Sequence, residues 1–125
     1  MAFNTTINDR LREALQAVPL LEERHMFGGV CYMVDGKMCI GVVKDEVMCR
    51  VGPEQYEACL EKPGCREMVF SGRPLRGFVY VSDAAMRSKQ ELQYWIDLCL
   101  AFNPIAKQSN KRKSKTKDSA IKVNR

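Results

Sequence analysis

The stretch His25-Met26-Phe27-Gly28-Gly29-Val30-Cys31-Tyr32-Met33-Val34-Asp35-Gly36-Lys37-Met38-Cys39-Ile40-Gly41-Val42-Val43 holds two apolar runs on either side of an Asp-Gly pair. A type I′ turn needs positive φ at both central residues, and Asp-Gly supplies them cheaply. The first run, 25–34, therefore reads as one strand and the second, 38–43, as its hairpin partner. Lys44-Asp45-Glu46 turns the chain again, into a third strand at Val47-Met48-Cys49-Arg50-Val51. Three strands with tight turns make an antiparallel meander.

Working outward, Ile7, Leu11, Leu15 and Val18 recur at helical spacing. They predict a helix over 7–18, capped by Thr6 and stopped by Pro19. Gly52-Pro53-Glu54 opens a short helix over about 53–61, and Lys62-Pro63-Gly64 ends it. Strands follow at 66–70 and 78–81, with a Gly/Pro/Arg loop at 71–77 between them. Ser88-Lys89-Gln90-Glu91 is a capping box that starts a last helix over 88–102. Leu92, Trp95, Ile96, Cys99 and Leu100 form its inward stripe. The order α-β-β-β-α-β-β-α predicts an α+β fold, a two-layer sandwich. It has an antiparallel sheet of about five strands with helices on one face.

The 125 residues divide by charge. The net charge is +5, yet residues 107–125 hold eight cations against the single acid Asp118. Those cations are Lys107, Lys111, Arg112, Lys113, Lys115, Lys117, Lys122 and Arg125. The segment carries +7, and residues 1–106 carry −2. Its scarcity of large apolar groups predicts a disordered basic tail, 107–125, behind a folded domain, 1–106. Clustered cations on a flexible chain attract polyanions through counterion release, without sequence readout. The tail has no aromatic residue for base stacking and no amphipathic period for a membrane surface. Weak, non-specific nucleic-acid contact and a purely solubilising role both fit it.

No apolar run approaches the roughly 20 residues that span a bilayer. The N-terminus lacks the charged and apolar regions of a secretory signal. A cytoplasmic protein is expected.

Six cysteines without C-x-x-C, mostly inside apolar runs, read as reduced core residues. Together with the single His25 they offer no paired-ligand spacing, so neither a metal nor a cofactor is expected. No Ser/His/Asp set can be built, and no phosphate loop is present. His25, Cys49 and Cys65 are the residues an enzyme would have to use. A non-enzyme is expected.

Two features suggest a binding surface. Gly28-Gly29 inside an apolar run marks either tight packing or bending of the strand, or close approach of a ligand or partner strand to the backbone. Arg73 and Arg76, with Arg50 and Arg66, can converge on an anion or act as a solvated loop. Arg24, Phe27, Gly28, Gly29, Arg50, Arg73 and Arg76 are thus the candidate surface.

Arg24-His25-Met26-Phe27-Gly28-Gly29-Val30, Asp35-Gly36-Lys37-Met38, Met48-Cys49-Arg50-Val51 and the Trp95 helix resemble the N-terminal domain of the TfoX/Sxy family. The resemblance covers roughly 20–102. It implies a two-layer α+β fold and a role beside a transcription activator in competence regulation, with no established catalytic residues. Cys39 stands where the family often has an aromatic residue. The chain reads as a single-domain relative without the family's C-terminal domain. A regulatory module with a protein partner is the expected function. A chaperone-type scaffold or ligand-binding domain, homodimeric through an exposed sheet edge, is the alternative.

Overall fold

Asp35 and Gly36 adopt φ of 54° and 75°, the left-handed pair of a tight hairpin. In the computed structural model, which describes residues 3–26 and 28–106, this turn joins β2 (Gly29–Val34) to β3 (Lys37–Val43). The predicted strand 25–34 is in fact two strands. β1 (Leu21–Met26) pairs antiparallel with β2, Met26 facing Gly29, and Gly28 takes φ 74° between them. The glycine pair that interrupts the apolar run is therefore a turn signal.

β4 (Glu46–Arg50) completes the meander. α2 (Pro53–Leu60) then leads to β5 (Cys65–Phe70) and β6 (Arg73–Ser82). β6 inserts between β4 and β5, giving one six-stranded antiparallel sheet in the order β1-β2-β3-β4-β6-β5. The expected loop 71–77 is mostly strand, because only Ser71 and Gly72 are needed to turn β5 into β6. The outer edge of β1 carries Glu22, Glu23, Arg24 and His25, charges that discourage edge-to-edge pairing.

α1 runs Thr5–Leu15, earlier than expected. Its cap is Asn4, not Thr6, and the Asn4 side chain accepts from the backbone N–H of Thr6 and Ile7. α3 (Lys89–Phe102) starts at the expected capping box, with both reciprocal Ser88–Glu91 bonds at 3.0 Å.

Among the described residues, α1, α2 and α3 all pack on one face of the sheet. Leu11, Leu15, Tyr56, Trp95, Ile96 and Cys99 meet Val30, Tyr32, Ile40, Val42, Val47, Val79 and Val81 there. Buried Tyr32 donates to the Oδ1 of buried Asn8 at 2.6 Å, which gives the hydroxyl proton and that oxygen a partner inside this core. The opposite face has its own buried cluster of Cys31, Met33, Met38, Met48 and Met68.

Two irregularities shape that second face. A bulge at Cys39 turns one β3 side chain back into the helix-side core. Between β5 and β6, Glu67 faces Val79 but Val69 faces Pro74. The extra β6 residues include Gly77 at φ 98°. A break of this kind bends a hairpin, and Met68 and Leu75 of the outer hairpin pack on the second cluster.

Candidate functional site

Arg50 ends β4 on the second face, directly opposite Phe78 of β6. Its guanidinium lies over two rings, 5.1 Å from the centre of Phe78 and 5.8 Å from that of Phe102. It also donates to the Met38 carbonyl at 3.4 Å. Burial pushes its pKa down from the ordinary value, but arginine stays cationic in proteins.

The backbone holds this corner tightly. Val51 and Gly52 both donate to the Gly77 carbonyl, at 2.9 and 3.0 Å. Gly52 takes φ 92° and ψ 158°, a region open almost only to glycine. The missing side chain lets the Phe102 ring lie against the backbone. α3 ends at this ring. Asn103 then ties down the next turn by donating to the Val34 carbonyl at 3.2 Å, while Lys37 donates to the Asn103 carbonyl at 3.1 Å.

Around Arg50 opens a cleft of about 310 Å³, lined by Arg76, Gly77, Phe78, Phe102, Gly52 and Ile105. Arg76 stands at its rim, 3.3 Å from Glu57 and 5.5 Å from the centre of the Tyr56 ring. Phe102 and Ile105 separate this cleft from a second one of about 280 Å³ along α2. Ile105 is 74% exposed, an apolar group held at the mouth of both. The geometry offers two cations and flat apolar walls, which suits a carboxylate-bearing apolar segment. A larger depression of about 780 Å³ lies beside Trp95 and Tyr94. Its polar groups Ser88 and Glu91 already satisfy each other in the capping box, which makes it the poorer site.

The family model of the TfoX N-terminal domain matches residues 13–103, from α1 through the turn that anchors Phe102. The chain belongs to that family. No curated protein and no solved structure matches it. The TfoX N-terminal family is not a known enzyme family.

Of the residues singled out in this TfoX domain, Arg50 and Arg76 meet at one cleft. Among the described residues, the others do not join them. Arg73 is exposed at the start of β6. Arg24 pairs with Glu22 at 2.9 Å on the far edge strand. Arg66 pairs with Glu46, its Nε donating at 2.7 Å, and lies over Tyr80. Gly28 serves the β1–β2 turn. A Cβ on Gly29 would collide with the Val42 carbonyl of β3, so the close approach there is made by the domain's own strand. Phe27 and the tail cations lie outside the described residues. Sequence reasoning missed Phe102 and Ile105. Their only signal was Pro104, which lies between them and marks the end of α3 at Phe102.

The enzyme-type candidates are not assembled. His25 sits on the exposed edge, 3.7 Å from Glu23. Burial pushes the half-buried Cys65 thiol up to about 11, the opposite of an activated nucleophile. Cys49 is fully buried in the helix-side core. Among the described residues, no three His, Cys, Asp or Glu side chains can share an ion. No described helix is long and apolar enough to cross a membrane.

Proposed function

We propose that this TfoX N-terminal domain is a non-enzymatic regulatory module of the cytoplasm. In this reading it captures an acidic segment of a protein partner, such as a transcription activator, in the Arg50–Arg76 cleft. The observation that carries the reading is the meeting of those two cations with Phe78, Phe102 and exposed Ile105. The described chain reaches Ala106 beside the cleft, and the cations of 107–125 begin at the next residue. The tail adds weak, salt-sensitive contact with nucleic acid to the capture of the partner.

Two measurements separate these parts. Anisotropy of a labelled peptide of alternating Glu and Leu should show binding that Arg76→Glu weakens at least about tenfold, the cost expected for opposing a charge. Unchanged binding would remove the cleft from the proposal. DNA affinity measured against salt should have a log–log slope no steeper than about −7, from eight tail cations. A full-length chain with those eight residues changed to Gln should lose that slope. If the slope survives, the tail is not the contact.

A further inference from the structure

The two faces of the sheet are built from different residues. Seven strand positions in the helix-side core are Val or Ile and none is Met. On the other face, Met26, Met33, Met38, Met48 and Met68 gather around Cys31, and among the described residues no helix residue joins that cluster. Packing alone would favour β-branched residues here too. They suit a strand better, and methionine loses more rotamer freedom on burial. Met differs from Val and Ile chemically in its thioether sulfur.

The register brings Cys31, Met33, Met38 and Met48 to neighbouring positions of β2, β3 and β4 on this face. Cys31 and Met33 are two apart on β2, with Sγ and Sδ 3.9 Å from each other. Met33 faces Met38 of β3 directly. Cys31 faces Gly41, which in turn faces Met48 of β4. Gly41 has no side chain to stand between Cys31 and Met48, and a Cβ there would lie 2.5 Å from the Val30 carbonyl. An S···S separation near 3.9 Å is what two ligands of one ion bound at about 2.3 Å require.

We propose that Cys31, Met33, Met38 and Met48 form a binding site for the soft monovalent cation Cu(I). Thiolate and thioether donors select Cu(I) over the harder divalent ions. On binding, the Cys31 thiol proton leaves to solvent and the thiolate neutralises the ion. The loaded site is then uncharged, so its burial costs little. Burial pushes the metal-free Cys31 thiol up to about 11, and the nearby cations Arg24 of β1 and Arg50 of β4 offset only part of that. Solvent is kept off by the outer β5–β6 hairpin through Met68 and Leu75. The inference is independent of the Arg50–Arg76 cleft.

The test uses the full reduced chain, labelled at the methionine ε-methyl carbons and titrated with Ag(I) without oxygen. The Met33, Met38 and Met48 methyl signals should shift together and saturate at one ion per chain. Met86, buried in the helix-side core, should stay still. Competition for Cu(I) against bathocuproine disulfonate supplies the affinity. Cys31→Ser and the double variant Met33→Leu/Met38→Leu should each weaken it at least about a hundredfold, since loss of even an outer-shell partner costs 10–100-fold. Leu keeps the Met volume, so the double variant stays folded. Should it not fold, Met38→Leu alone is read by the same methyl shifts. Cys65→Ser should change nothing. Absence of saturable binding, movement of Met86, or an affinity that follows Cys65 and not Cys31 would each overturn the proposal.

Discussion

Gly52→Ala tests how the candidate cleft is held together. At φ 92° and ψ 158° an alanine is strained, at about 1–3 kcal/mol for such backbone regions. Its Cβ would also lie 2.7 Å from Cε1 and 2.9 Å from Cγ of Phe102, which forces the ring out of place. Overpacking of that kind costs about 1–3 kcal/mol. The two together come to roughly 4 kcal/mol, a large part of the about 5–15 kcal/mol that holds a domain folded. Gly72→Ala is the internal comparison. It too has positive φ, 78°, but nothing lies within 4 Å of its Cβ. Only backbone strain of about 1 kcal/mol remains there. Guanidinium unfolding of both variants should show Gly52→Ala the more destabilised by about 3 kcal/mol. In a Phe102→Ala background the Gly52→Ala cost should shrink by the steric share, about 1–3 kcal/mol. Equal costs at Gly52 and Gly72, or a Gly52 cost indifferent to Phe102, would refute the account of the corner. It would also remove the reason given for Phe102 lying over Arg50.

The remaining expectations concern single contacts. Ser88→Ala removes the hydroxyl that accepts from Glu91 at the start of α3, and thermal unfolding should register a loss of about 1 kcal/mol. Tyr32→Phe leaves the buried Asn8 acceptor without its 2.6 Å donor, and should cost about 1–3 kcal/mol in chemical denaturation. Glu23 is held below the usual carboxylate range, chiefly by its hydrogen bond from Arg12. Its contribution is therefore present at neutral pH and lost as pH falls through the acid range. The pair is surface-lying, so Glu23→Gln should flatten the acid limb of stability against pH by less than about 1 kcal/mol. The Cys65 thiol, pushed up to about 11 by burial, should react with a disulfide reagent at pH 8 more slowly in the folded chain than after unfolding. Faster reaction in the folded state would reopen the case for a catalytic cysteine.

Much of the fold is written in short-range signals. Asp35-Gly36 fixes the β2–β3 hairpin because its backbone preference needs no help from elsewhere. The capping box at Ser88 and Pro53 at the start of α2 mark helix ends for the same reason. Alternation and helical spacing supply the helix-side core. The same signals misread Phe27-Gly28-Gly29, because an apolar run continues across the β1–β2 turn and hides it. They also shortened β6, because Pro74 and Gly77 look like loop residues until β5 pairs with Pro74 and the Gly77 carbonyl accepts from Val51 and Gly52.

What the sequence by itself determined is the order of the elements apart from the division of β1 from β2, the Asp35-Gly36 turn, the starts of α2 and α3, and the segregation of positive charge beyond residue 106. Each depends on residues no more than a few positions apart, or on composition. Tertiary structure alone decided that Arg50 and Arg76 share a cleft while Arg24, Arg66 and Arg73 go elsewhere, and that Phe102 and Ile105 form its wall. It alone decided that methionines scattered from 26 to 68 lie on one face with Cys31. Those placements follow from strand order and register, and β6 entering between β4 and β5 is a long-range choice. A slip of one residue in any strand would send its sulfurs to the helix side.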